Sequence, residues 1–265
     1  MKILYIGDIM ARPGREVVAK ILPEIRREYK PDVIIAQAEN VTHGAGMSAG
    51  HMRELQRLGI DFFTGGNHSL QRRSLWPLLA DSDEPVIAPL NMNGVELSWG
   101  AKVLHCAVGD VLIASLLGAV FPHTELVGRN PLQAIDELLE AHKGKRYAAK
   151  IINFHGDFSS EKRVIGFYLD GRASAVIGDH WHVPTADAIV LPGGTAHLTD
   201  VGMCGTLGSS LGVAKEVIIA RWRDGQTTKN EIAEGPPYQF NAALVAIDPA
   251  TGQAKHIELI HKIFD

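Results

Sequence analysis

Short apolar runs that end abruptly in polar clusters recur along this chain, and they constrain its fold more than any other feature. Ile3-Leu4-Tyr5-Ile6 runs into Gly7-Asp8, and Val33-Ile34-Ile35-Ala36 leads to Glu39-Asn40. Phe62-Phe63-Thr64 leads to Gly65-Gly66-Asn67-His68. A fourth run ends in Asn153-Phe154-His155, and Ser174-Ala175-Val176-Ile177 ends in Gly178-Asp179-His180-Trp181-His182. Runs this short, bounded by glycine or proline, have the length of buried strands rather than helices. In an open α/β sheet, ligands gather beyond the carboxyl ends of the strands. Asp8, Glu39, Asn67, His155 and His180 each follow such a run, so the pattern directs them to one site.

Between the runs the period changes. Arg12-Pro13-Gly14-Arg15 opens a helix reaching Tyr29, with Val17, Val18, Ile21, Leu22 and Ile25 on its inner face and a kink or break expected at Pro23. Further helices are expected over about 48–58, 131–142 and 160–169, and strands over 32–36, 61–64, 150–154, 175–177 and 188–191. Segments 101–107 and 111–117 flank Val108-Gly109-Asp110 as a hairpin, and 241–247 with 255–259 reads as a closing hairpin. βαβ units followed by antiparallel pairs predict an α/β fold: two mixed β-sheets packed as a sandwich, with helices on the outer faces. No repeat or linker-like stretch divides the 265 residues, so a single domain over 1–265 is expected.

With a net charge of −4, the chain has no basic field to hold a long nucleic acid, and none is expected as a partner. Small anionic substrates stay open to it if bound cations invert the local potential. Cys106 and Cys204 are isolated, which suits a reducing compartment and small buried side chains rather than a disulfide. The N-terminal apolar stretch is too short for a secretory leader, and no run approaches the ~18 apolar residues of a membrane span. The expected location is the cytoplasm, with no membrane partner. The sequence leaves monomer and homo-oligomer both open.

Carboxylate, amide and imidazole together form the donor set of a hydrolytic divalent-metal centre. Asp8 can bind a metal end-on or cap a helix. Glu39, with two oxygens, can bridge two cations, and Asn40 offers an amide oxygen beside it. Asn67 offers a neutral oxygen, and His68 next to it could act as a general acid. His155 is a lone imidazole at a strand end, with Asp157 able to support a ligand from behind. His180 and His182, two apart, would point to the same side of an extended segment and reach one metal or two. His43, in Thr42-His43-Gly44-Ala45-Gly46, is expected near the site. Gly44-Ala45-Gly46-Met47-Ser48 and Phe121-Pro122-His123-Thr124 are candidate rim loops.

In this order and spacing the clusters resemble the calcineurin-like metallophosphoesterases, and within them the YmdB-like branch. Gly7-Asp8-Ile9, Ala38-Glu39-Asn40, Gly66-Asn67-His68, Phe154-His155, Asp170-Gly171-Arg172-Ala173-Ser174, His180-Trp181-His182-Val183 and Thr199-Asp200-Val201-Gly202-Met203 carry the resemblance from Lys2 to about Ile260. The broad superfamily usually opens with Asp-x-His, but this chain has Asp8-Ile9-Met10. Methionine is a poor ligand for a hard cation, which makes Asn40 the candidate to complete that site. Asp179 and Trp181 stand where threonines are common in the branch. The resemblance implies two divalent or trivalent metal ions that share Glu39 and a bridging hydroxide. Asp8, Asn40 and His182 would complete one site; Asn67, His155 and His180 the other; His68 would be the proton donor. Iron or manganese suits this donor set, with zinc a third choice. The implied activity is a phosphodiesterase for small phosphodiesters, with 2′,3′- or 3′,5′-cyclic nucleotides as test substrates. The alternatives are a phosphomonoesterase or 5′-nucleotidase on the same site, or a nucleotide-binding regulatory protein with little turnover.

Overall fold

Alternation along the first strand sorts its side chains between two cores. Ile3 and Tyr5 face one apolar cluster and Leu4 and Ile6 another, because successive strand residues point to opposite faces. The computed structural model describes residues 1–119 and 124–265. Its strands are β1 (Lys2–Ile6), β2 (Asp8–Ile9), β3 (Val33–Gln37), β4 (Phe62–Thr64), β5 (Ala101–Cys106), β6 (Gly109–Leu117) and β7 (Ala149–His155). They continue as β8 (Ala175–Asp179), β9 (Ile189–Val190), β10 (Ala196–Leu198), β11 (Met203–Thr206), β12 (Tyr238–Asp248) and β13 (Gln253–Phe264). The α-helices are α1 (Ala11–Tyr29), α2 (Ala49–Arg57), α3 (Trp76–Ala80), α4 (Leu97–Gly100), α5 (Pro131–Ala141), α6 (Ser159–Tyr168) and α7 (Lys215–Asp224).

These strands form two mixed sheets. In the first, β1 pairs in parallel with β3, and β3 with β4, while β12 runs antiparallel to β1, β11 and β13. In the second, β6, β7, β8 and β10 are parallel neighbours, with β5 and β9 antiparallel at the edges. The sheets pack face to face through Tyr5, Ile35, Phe62, Ile113, Ile151, Ile177 and Val245. The outer face of the first sheet is covered by Val17, Val18, Leu22 and Ile25 of α1 and by Met52 and Leu55 of α2. That of the second is covered by Ile135 and Leu138 of α5 and Ile165 of α6. The architecture is the α/β sandwich with outer helices that the sequence pattern predicts. Central strands buried on both faces explain why their runs are continuously apolar.

Local chemistry sets several boundaries. The Ser48 hydroxyl caps α2 by accepting from the His51 amide at 3.3 Å, and Asn130 caps α5 by accepting from Leu132 at 2.8 Å, with Pro131 at the first helical position. The expected break at Pro23 does not occur: α1 runs through it. Pro23 and Ala19, whose carbonyl loses its partner, both lie on the solvent face where water can reach them. Val18 before and Ile25 after hold both halves of the helix on the same sheet. Sequence pattern also misses β2, β10, β11, α3, α4 and α7; the first three are two to four residues long. Among the described residues no helix is long and apolar enough to cross a membrane.

Candidate metal centre

The carboxyl ends of the parallel strands of both sheets meet at one rim. Asp8 lies just past β1, Glu39 just past β3, Asn67 past β4, His155 ends β7 and His180 follows β8. Asp8 and His155 are fully buried, and Glu39, Asn40, Asn67 and His182 nearly so. Glycine allows this crowding. A Cβ on Gly66 would stand 2.1 Å from Glu39 Oε2 and 2.6 Å from His155 Nε2, so no side chain fits there.

The side chains form two groups. In one, Asp8 Oδ2 lies 3.1 Å from His182 Nε2, and the Asn40 amide nitrogen lies 3.0 Å from Asp8 Oδ2, 3.2 Å from His182 Nε2 and 3.2 Å from Glu39 Oε1. In the other, His155 Nε2 lies 2.8 Å from Asn67 Oδ1 and 3.2 Å from that same Glu39 Oε1. One ligand atom each from Glu39, His155 and His180 falls within 4.8 Å of the others. Glu39 therefore joins the two groups through a single oxygen. All seven candidate ligands, Asp8, Glu39, Asn40, Asn67, His155, His180 and His182, come together.

His68 stands beside them. Its backbone N–H donates to Glu39 Oε2 at 3.2 Å, its Nδ1 bonds Asn40 Oδ1 at 2.9 Å, and its ring lines an open cavity. Met10 lines that cavity too but binds nothing in the cluster. His43 is exposed, edge-on to His51 at 6.4 Å, and does not line the cavity. Gly44 does. The second candidate rim loop, 121–124, lies outside the described residues apart from the backbone of Thr124.

The paired histidines correct one expectation. His180 and His182 have φ of 103° and 61°, so the segment is a left-handed turn rather than an extended strand. The turn sends the two rings to different groups. It is held from beneath by a buried ion pair: Lys162 Nζ donates to Asp200 Oδ2 and to the Asp179 carbonyl, each at 2.6 Å. Asp200 Oδ2 also accepts from the Trp181 amide at 2.9 Å, and the Lys162 ammonium sits 4.1 Å from the Trp181 ring centre.

Partners behind the cluster fix each imidazole. His155 Nδ1 bonds Asp179 Oδ1 at 2.7 Å, while Asp179 Oδ2 accepts from Gln37 at 2.8 Å, Tyr5 at 3.1 Å and the Asn153 amide. His182 Nδ1 donates to the Leu211 carbonyl at 3.0 Å, and His180 Nε2 bonds Asp157 Oδ1 at 2.9 Å. Such outer partners set the tautomer and aim of a ligating histidine. Gln37, Asn153, Tyr5, Lys162 and Leu211 are absent from the sequence-level candidates, because each lies within a strand, on a helix or in a distant loop and gains its role only through packing.

The electrostatics are those of a crowded buried cluster. Burial raises the Asp8 carboxyl against the pull of His182. Burial would raise Glu39 as well, but His155, His68 and His180 together hold it below the usual carboxylate range. Burial disfavours charge on His155, yet Glu39 and Asp179 outweigh it and push the imidazole up to about 10. His182 likewise rises to about 9 against burial, through Asp8 and Glu39. His180, buried beside His155, falls to about 2.

These residues fit a hard cation. Asp8 Oδ1 is buried with no hydrogen-bond partner among the described residues, which is costly for a carboxylate oxygen unless a cation meets it. Three lone-pair atoms, from Asp8, His182 and Glu39, converge on the Asn40 amide terminus. Rotating that amide by half a turn would place its oxygen there as a fourth donor. Oxygen and imidazole donors without cysteine suit iron, manganese or zinc.

A sequence profile of the YmdB-like protein family matches residues 4–260. The chain belongs to that family. Its relatives include a 2′,3′-cyclic-nucleotide 2′-phosphodiesterase of Bacillus subtilis strain 168, 35% identical over 98% of this chain and 96% of the relative. Among solved structures, a novel phosphatase from Mycoplasma pneumoniae superposes with a TM-score of 0.90 at 29% identity, covering 99% of this chain and 93% of that one. A hypothetical protein from Thermus thermophilus does so with a TM-score of 0.87 at 35% identity, over 99% of both chains. In this chain Asn40, at 3.0 Å, and His182, at 3.1 Å, both reach Asp8 Oδ2, while Met10 contributes no donor there.

Proposed function

We propose that this phosphoric ester hydrolase acts on small phosphodiesters, cyclic nucleotides among them, at a centre for two metal ions built around Glu39. The observation that carries it is the single oxygen, Glu39 Oε1, shared between the Asp8–Asn40–His182 group and the Asn67–His155–His180 group. The activity named for the Bacillus subtilis relative supports the choice of 2′,3′-cyclic nucleotides as substrates. When bound, the two cations, iron or manganese by donor type, supply Lewis acidity and a nucleophilic water near neutral pH.

The chain's own residues do the rest. Asp179 accepts the Nδ1 proton of His155 in a hydrogen bond, so the Nε2 lone pair faces Glu39 and Asn67 once its proton is displaced. The Leu211 carbonyl does the same for His182, turning Nε2 toward Asp8. With the Asn40 amide rotated so that its oxygen faces Asp8, its N–H donates to His68 Nδ1, which places the imidazole proton on Nε2 for transfer to the leaving oxygen of the ester. The open cavity beside the cluster admits the substrate.

The test is hydrolysis of bis-p-nitrophenyl phosphate with added Mn²⁺, alongside metal analysis. His180→Ala and Asn67→Ala should each abolish turnover; activity that survives both would sink the two-metal assignment. His68→Ala should lose about 10²- to 10⁴-fold in rate with metal content retained. If it instead empties the site, His68 is a ligand. Faster turnover of a monoester in side-by-side kinetics would assign the site to a phosphomonoesterase.

A further inference from the structure

The cavity next to the metal centre has a second wall that the chemistry does not use. The cavity measures about 600 Å³, within the range of small-ligand sites. Glu39, Asn40, His180 and His182 of the candidate metal centre line it, and so do Leu211, Ile218, Arg221 and Trp222. Ile218, Arg221 and Trp222 are spaced i, i+3, i+4 on α7 and so share a face. Nothing on α7 is buried, and Trp222 is 87% exposed. A bare indole beside a cavity is a flat apolar surface on which a ligand can stack.

The wall is nevertheless tied to the centre. Leu211, whose side chain contributes apolar surface to it, holds His182 through its backbone carbonyl at 3.0 Å. Arg221 is braced by neutral acceptors, the Thr228 carbonyl at 2.8 Å and Asn230 Oδ1 at 3.0 Å, and no carboxylate pairs with it among the described residues. Its positive charge is therefore left at the cavity. A molecule that spans both walls needs an anionic end for the metal centre and a flat apolar end for the indole.

We propose that α7 forms a nucleobase subsite, in which Trp222 stacks on the base of a nucleotide whose phosphodiester lies at the metal centre, with Ile218 and Leu211 packing at its edge. This rests on the phosphodiesterase proposal and narrows its substrate class to nucleotides. Stacking on an indole is tolerant of base identity, because every base presents a π-face. The wall thus selects nucleotides over other phosphodiesters without choosing strongly among bases.

The experiment compares 2′,3′-cyclic AMP with the 2′,3′-cyclic phosphate of methyl ribofuranoside, which has no base, on Mn²⁺-loaded protein. Trp222→Ala should lower the ratio of kcat/KM for the nucleotide over the abasic ester by roughly 5- to 100-fold, the range for one base on one aromatic ring. Trp222→Phe should restore most of the ratio. Calorimetric binding of adenosine 2′-monophosphate against ribose 2-phosphate gives a readout independent of turnover, and the same preference for the base should vanish in Trp222→Ala. A ratio and a binding preference that both stay within about twofold of wild type overturn the subsite. So does a change of oligomeric state in Trp222→Ala with base preference intact, which would make α7 a contact between copies. If neither ester is hydrolysed but base-dependent binding still needs Trp222, the phosphodiesterase proposal fails and the subsite stands.

Discussion

The two walls of the cavity are built in opposite ways. The wall of the metal centre is buried and tied at each histidine: His155 to Asp179, His180 to Asp157, His182 to Leu211. Beneath it, Lys162 and Asp200 are fully buried and paired. The α7 wall has no buried side chain and ends in an indole that solvent surrounds. Buried, mutually hydrogen-bonded groups hold a fixed geometry, as ligation demands. A helix packed only loosely can adjust to what it meets, as recognition of varied bases demands. The contrast separates chemistry from recognition within one cavity.

Stability shows the contrast at its largest. Lys162→Ala leaves Asp200 buried without its cation, and breaking such a pair costs about 3–5 kcal/mol. Trp222→Ala, at an exposed position, should move stability by no more than about 0.5 kcal/mol. Urea unfolding of the two variants measures both. Comparable losses would mean that α7 is as firmly built as the metal wall, and the comparison would collapse.

A smaller effect is expected one step behind the ligands. Asp179→Asn keeps the size of the side chain but removes the charge that aims His155, and such outer-partner changes cost about 10- to 100-fold in metal affinity or activity. Metal titration with activity as a second readout tests it. A variant with unchanged metal affinity and rate would show that Gln37, Asn153 and Tyr5 hold the site without Asp179.

What the sequence displays and what it hides divide along the same line. The strand-end clusters are legible because a buried parallel strand must be apolar throughout, so a polar residue at its end stands out; Asp8, Glu39 and His155 are such cases. The expectation for His180 and His182 fails in geometry, since a run of side-chain types does not reveal the left-handed turn at both residues. Lys162 lies in an amphipathic helix where lysine normally faces water, and only the packing of α6 against β8 buries it. Helix α7 is hidden because its apolar residues serve no core, so the periodicity that betrays a packed helix is weak. The expected Pro23 break fails because sequence shows the lost hydrogen bond but not the solvent that replaces it.

The subtlest difference between the walls is electrical, and it follows pH. In metal-free protein, His155 and His182 titrate near 10 and 9, held up by Glu39, Asp179 and Asp8 despite burial, against an ordinary value of 6.5. A histidine whose folded value is raised adds stability that is fully present below about pH 6.5 and is lost as pH climbs through 9 to 10. The melting temperature of metal-stripped protein should therefore fall steadily over that window. Cations need the neutral imidazoles and take the place of the two protons, so the gain in melting temperature on Mn²⁺ loading should widen across the same range. Trp222 carries no ionisable group, and Trp222→Ala should leave the pH dependence as it was. A metal-free melting temperature that stays flat from about pH 6.5 to 10 would mean that the two imidazoles are already neutral. The cluster would then be poised for metal with no proton to displace.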